Sequence, residues 1–146
     1  MFTLAINTGL GVFKLLNLKV KDVKNRHYLS YSKQKSVPLN NEIIQLVERF
    51  TENKKPSELL FQNCKGNKVG RTVLFYDFKG LCTELGLNEK YSVASWRKTF
   101  ACHYYKKYKD ISYLMWLFKQ HPVNIAFKFI DVDENMNLRF KEGVCL

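Results

Sequence analysis

Trp96-Arg97-Lys98-Thr99-Phe100 is the stretch of this sequence best equipped for chemistry. Trp96, Phe100 and Tyr104 recur every four residues and give a helix one apolar face, while Arg97, Lys98, Lys106 and Lys107 spread positive charge around the rest of it. A guanidinium in the first turn of such a helix can grip two phosphate oxygens with its planar fork, and the unpaired N–H groups of that turn favour the same anion. The chemistry implied is phosphate binding. The other reading of the same residues is a surface helix with solvated lysines, and the rest of the chain must decide between them.

The elements that would position this helix follow from local patterns. Met1 to Leu10 is apolar with helical spacing, and Gly9 and Gly11 break it before a second helical turn from Phe13 to Leu16. Val20, Val23, Tyr28 and Tyr31 read as strand pieces that continue through a Lys33-Gln34-Lys35 turn into Val37-Pro38-Leu39, a small antiparallel sheet. Asn40 can cap a helix with Ile43, Ile44, Val47 and Phe50 on one side and Glu48 and Glu52 on the other. Residues 53–57 form a loop, Glu58-Leu59-Leu60-Phe61 a short buried segment and 64–70 an exposed turn. From Thr72 a helix carries Leu74, Phe78, Leu81 and Leu85 inward and stops at Gly86, which suits a left-handed cap; Arg71 stands at its entrance. Asp110 can cap a further helix with Ile111, Leu114, Met115 and Phe118 on one face. The fold class expected is mainly α with a small antiparallel β-sheet, as one domain over residues 1–132 followed by a tail at 133–146.

Lysine and arginine outnumber aspartate and glutamate by 24 to 13, a formal charge of +11. That excess favours a polyanionic partner, nucleic acid before membrane, because no stretch is long and apolar enough to span a bilayer. A generic basic surface is the alternative. Nineteen of the cations are lysines, which bind phosphate as point charges and encode little sequence preference. Cys64, Cys82, Cys102 and Cys145 lack the paired spacing of a zinc site or a disulfide scaffold, so free thiols in a reducing, cytoplasmic setting are expected. The N-terminus lacks the layout of a signal peptide, and no motif calls for a metal or cofactor.

Thr8-Gly9-Leu10, Leu15-Leu16-Asn17-Leu18, the basic hairpin ending Val37-Pro38-Leu39, Arg97-Lys98-Thr99-Phe100, His121 and Phe127-Lys128-Phe129-Ile130 occur in one order. In this the chain resembles the catalytic domain of the tyrosine recombinases, the phage integrase family, over roughly residues 2–132. The resemblance implies that Lys33, with Lys35 as its neighbour, matches the hairpin lysine that protonates the leaving oxygen during DNA cleavage; a solvated turn lysine is the other reading of Lys33. It implies that Arg97 is the arginine of the His-x-x-Arg motif and that Arg71 stands where a helix entrance faces DNA, against plain solvent exposure. The DNA-contacting set so implied is Lys33, Lys35, Arg71, Arg97, Lys98 and His121, the histidine fitting after a one-residue slip from Gln120.

The departures from the family pattern bear on the chemistry. Gly11 stands where the resemblance puts the first catalytic arginine, Lys14 where an acidic residue follows it, Ala94 where the motif histidine belongs and Phe129 where the nucleophilic tyrosine belongs; the last tyrosine of the chain is Tyr113. The family's reaction makes a covalent 3′-phosphotyrosine link, which needs a nucleophilic hydroxyl, cationic donors around the phosphorus and an acid for the 5′-oxygen. One preorganised donor is worth about 10²–10³ in rate, so losing two leaves a deficit of many orders before the nucleophile is counted. Binding survives such losses better, because it sums charge and shape.

The expectation is a catalytically inactive, recombinase-like protein that binds double-stranded DNA, a repressor or architectural factor of a phage or mobile element. One alternative is a protein-interaction module that modulates an active recombinase, or pairs with its own copy, through Trp116 and the C-terminal tail. Another is a strand-cleaving enzyme with an unrecognised nucleophile. Integrases usually clamp DNA between this domain and a separate N-terminal helical domain, and a domain cut from such a longer protein is one reading of the chain.

Overall fold

In chain order the elements are α1 (Phe2–Thr8), α2 (Val12–Leu15), a 3₁₀ turn (Val20–Asp22), β1 (Tyr28–Ser32), β2 (Lys35–Pro38), α3 (Asn41–Phe50), α4 (Arg71–Glu84), α5 (Ser95–Tyr108), α6 (Ile111–Phe118) and α7 (Val123–Ile130). The computed structural model describes residues 1–87, 91–119 and 123–130. The fold class is mainly α with a small two-stranded antiparallel sheet, as the patterns imply. Two compact units divide within α5, Met1–Phe100 and Ala101–Leu146. The boundary expected at 132 and the tail beyond it lie outside the described residues. Among the described residues no helix is long and apolar enough to cross a membrane.

In the first unit α1 stops at Gly9, whose φ of 67° is left-handed and whose N–H donates to the Ala5 carbonyl at 2.9 Å. Thr8 is fully buried, so its hydroxyl needs partners: it donates to Leu4 O at 2.6 Å and accepts from Leu10 N at 3.4 Å. Val20 and Val23, expected as strand pieces, belong to a 3₁₀ turn and the residue closing it. Their spacing of three is helical, both are buried, and Asp22 Oδ2 accepts from Lys19 N at 2.9 Å to cap the turn. The hairpin pairs Leu29 with Val37 and Ser32 with Lys35, with an irregular step between Ser30 and Ser32. Leu29 and Val37 point into the core, and the turn is Lys33-Gln34.

Asn40 caps α3 as expected, its side chain accepting from Ile43 N at 2.8 Å. Ile43 and Val47 are buried and Ile44 half-buried, but Phe50 is exposed at the last residue of α3, where it meets Phe61 and lies under Lys54 Nζ at 4.1 Å. The 58–61 segment is held by backbone bonds to the Leu18–Val20 stretch, Leu60 N to Leu18 O at 2.8 Å and Val20 N to Glu58 O at 3.0 Å, with Leu60 buried. In α4 only Leu74, Phe78 and Cys82 reach inward; Leu81 and Leu85, expected on that face, are exposed. At 1.5 Å per residue α4 is about 21 Å long and outruns the core it packs on. It ends at Gly86 in the left-handed region, as anticipated. Cys64 and Cys82 are free thiols, the first exposed and the second buried.

In the second unit Asp110 caps α6, its Oδ1 accepting from Tyr113 N at 2.9 Å. Leu114, Leu117 and Phe118 are buried, with Ile111 and Met115 half-buried beside them. From α7 come Ala126, Phe127 and Ile130, and Tyr105 of α5 meets Phe127 edge-on at 5.8 Å. Cys102 Sγ donates to Ile130 O at 3.1 Å. The helices α5 and α6 each end on a lysine in the left-handed region, Lys109 and Lys119.

Candidate nucleic-acid interface

The start of α5 is built around Trp96, which is buried and meets Phe2 and Phe78 edge-on at 5.7 and 5.2 Å. Its indole N–H is buried without an acceptor among the described residues, so the side chain is held by ring packing alone. Ser92 N donates to Ser95 Oγ and Ser95 N to Ser92 O, closing the turn that opens the helix, and Thr99 Oγ1 donates to Ser95 O. With Trp96 and Phe100 turned inward, the two intervening cations fall on the flank: Arg97 and Lys98 are half-buried.

Trp96 and Phe100 are buried as the four-residue spacing implies, but Tyr104 is half-buried and stacks on Tyr113, while Ala101 and Tyr105, each one residue beyond that spacing, are buried. Steps of four on a 3.6-residue helix drift by about 40° each, so the core stripe moves over by one position.

Gly9 ties the other end of the site to this helix. A Cβ there would sit 2.5 Å from Phe100 Cδ1, so the turn between α1 and α2 packs directly on α5. Gly9 therefore meets two demands at once, a positive φ and a close approach. Gly11, two residues on, meets neither: its φ is −71°, and among the described residues beyond its chain neighbours a Cβ would touch nothing within 4 Å. Backbone permissiveness, one reading of this glycine, thus does not account for it. Lys14 is half-buried one turn later; burial pulls its ammonium below the ordinary lysine range, and Asp22 acts in the opposite direction.

Lys33 is exposed at the hairpin tip, and Lys35 is half-buried at the start of β2 opposite Ser32. Arg71 is exposed as the first residue of α4, whose N-cap Gly70 offers no side-chain acceptor. Lys33, Lys35, Arg71, Arg97 and Lys98 all belong to the first unit. His121 lies outside the described residues. Ala94 is exposed in the turn before α5. Phe129 belongs to the second unit, half-buried on α7 with its ring edge-on to Phe118 at 5.6 Å.

Two features escaped the sequence reading. The Gly9–Phe100 approach joins residues far apart in the chain, and only the glycine of Thr8-Gly9-Leu10 hinted at it. The contacts of Tyr104 with Tyr108 and Tyr113 have a signal in the four-residue tyrosine spacing, which the periodicity alone assigns to the core.

The phage integrase family matches residues 1–134 of this chain. A Bacillus subtilis (strain 168) protein named probable integrase/recombinase YoeC is 27% identical over 141 residues, covering 92% of this chain and 77% of that protein. Among solved structures, the Tn1549 transposon integrase in complex with circular intermediate DNA aligns with a TM-score of 0.77 at 15% identity, over 98% of this chain and 56% of that one. The XerH site-specific recombinase bound to palindromic difH substrate aligns at 0.71 with 20% identity, over 97% and 44%. The chain thus spans about half the length of these solved chains, and the likeness is one of fold. With nearly its whole length matched and the helix-and-hairpin architecture in common, the chain belongs to the phage integrase family.

Proposed function

We propose that this chain is a recombinase-like domain that binds double-stranded DNA without cutting it, and serves as a repressor or architectural factor of a phage or mobile element. The observation that carries the proposal is Phe129. Where the resemblance places the nucleophile there is a phenyl ring, half-buried against Phe118, with no hydroxyl to attack phosphorus. Gly11 and Ala94 likewise offer no donor to a developing charge. Arg97 and Lys98 remain on a helix anchored by Trp96, and Lys33 and Arg71 stand exposed on other elements of the same unit. The net charge of +11 supports a polyanionic partner, as do DNA-bound neighbours such as the Tn1549 integrase and XerH.

The test is a salt titration of binding to a short duplex, comparing the wild type with Arg97→Ala and with Lys55→Ala, an exposed lysine outside the proposed face. Arg97→Ala is expected to weaken binding at low salt and to lower the slope of log K against log salt by ~0.9, the loss of one phosphate contact. Lys55→Ala is expected to leave the slope unchanged. Equal behaviour of the two variants refutes the proposed face.

A second reading, a module that pairs with an active recombinase, is favoured by Trp116, which is 44% exposed. It requires that Trp116→Ala abolish co-sedimentation with such a recombinase while duplex binding persists.

A further inference from the structure

We propose that the ring ladder on α5 and α6 is a stacking platform for the unpaired bases of a single-stranded nucleic acid. Four aromatic side chains follow one another across the surface of the second unit. Tyr108 and Tyr104 have centroids 4.8 Å apart, Tyr104 and Tyr113 lie stacked at 4.6 Å and 24°, and Tyr113 and Trp116 are 5.7 Å apart at 35°. The order comes from helix geometry: Tyr104 and Tyr108 are one turn apart on α5, Tyr113 and Trp116 one turn apart on α6. The Asp110 cap fixes where α6 begins.

Core packing does not account for this ladder. The buried positions of the same helices are Ala101, Tyr105, Leu114 and Leu117, whereas Tyr104 and Tyr113 are half-buried and the terminal rings stand out, Tyr108 by 57% and Trp116 by 44%. An exposed aromatic run of this kind marks a binding surface.

Charge selects the occupant. Lys107 Nζ lies 5.1 Å from the centre of the Tyr108 ring, and exposed Lys119 stands three residues after Trp116 at the end of α6. Among the described residues Asp110 is the acid beside the rings, and one of its oxygens is engaged by Tyr113 N–H. Tyr104 and Tyr113 cover each other's faces, so the exposed terminal rings Tyr108 and Trp116 offer the stacking surfaces. With ammonium groups nearby they suit a ligand that is itself flat and anionic by turns, which describes bases along a phosphate backbone. A duplex keeps its base faces stacked on each other, so the platform takes single strands or unpaired ends. It shares no residue with the duplex-binding set proposed above, and the two proposals succeed or fail separately.

The experiment measures binding of a labelled short oligothymidylate and of a short duplex to the wild type, Trp116→Ala, Trp116→Phe, Tyr108→Ala and Arg97→Ala. Trp116→Ala and Tyr108→Ala are expected to weaken single-strand binding ~10-fold or more and to leave duplex binding unchanged. Trp116→Phe should keep most of the single-strand affinity, which separates stacking from a general loss of structure. Oligothymidylate should also quench tryptophan emission in the wild type and not in Trp116→Phe, since the other tryptophan, Trp96, is buried. Single-strand affinity indifferent to both alanine changes would overturn the proposal. So would a glutamate-rich peptide that binds as tightly as the oligonucleotide and is lost in the same variants.

Discussion

Between a phenol and a phenyl the difference is one oxygen, and on the reading proposed above position 129 lacks the one a transesterification would need. Phe129→Tyr alone is expected to produce no covalent protein–DNA adduct with a nicked or supercoiled substrate, because Gly11 and Ala94 still leave the phosphorus without two donors. A denaturing gel that retains labelled DNA on that single variant would refute the account. Gly9 makes the opposite case, a residue whose absent side chain is required. Alanine there takes a left-handed backbone, costing about 1–2 kcal/mol, and drives its Cβ into the Phe100 ring, costing about 1–3 kcal/mol more. A urea titration should show Gly9→Ala losing stability on that scale, and an unchanged midpoint would mean that α1 and α5 do not meet as described.

At the scale of elements, what the sequence shows and what it hides divide along the reach of the forces. The caps at Asn40 and Asp110, the stop at Gly86 and the Leu29–Val37 hairpin were legible because each depends on neighbours within a few residues. Val20 and Val23 suit a strand by residue type alone, whereas their spacing of three and the single hydrogen bond from Lys19 N to Asp22 make a turn. Leu81 and Leu85 obey the helical period yet stay exposed, since periodicity says which residues share a face and not how far the opposing core extends. Tyr104 was lost to the core for a related reason: its stacking partner Tyr113 sits on the next helix. Of the candidate site, Arg97 on an apolar anchor could be read directly, whereas the half-burial of Lys14 and the open space over Gly11 are consequences of tertiary packing.

Taken whole, the protein carries its cations through both units, and its stability should respond to alkali through its tyrosines. Burial raises the phenol of Tyr104 above its ordinary value of 10.0, with Asp110, Tyr113 and Tyr108 adding to the effect; burial raises Tyr113, with Asp110 adding; burial raises Tyr105. The folded state then holds these protons more tightly than the unfolded chain does. Their stabilisation is complete below pH 10 and is lost as pH rises through the folded values. Denaturant midpoints should fall as the pH rises above 10.0, and less steeply in Tyr104→Phe. An identical fall in that variant would place the alkaline transition elsewhere. The empty space beside Gly11 also says something about descent. Glycine and arginine codons differ by a single base, as do those of phenylalanine and tyrosine, while alanine to histidine takes two. Among the described residues beyond its chain neighbours, a side chain at position 11 would meet no atom within 4 Å of its Cβ, so on the proposed reading the change to arginine faces no steric obstacle where it leaves the backbone. On the proposed reading, single base changes separate this chain from an arginine at position 11 and a tyrosine at position 129.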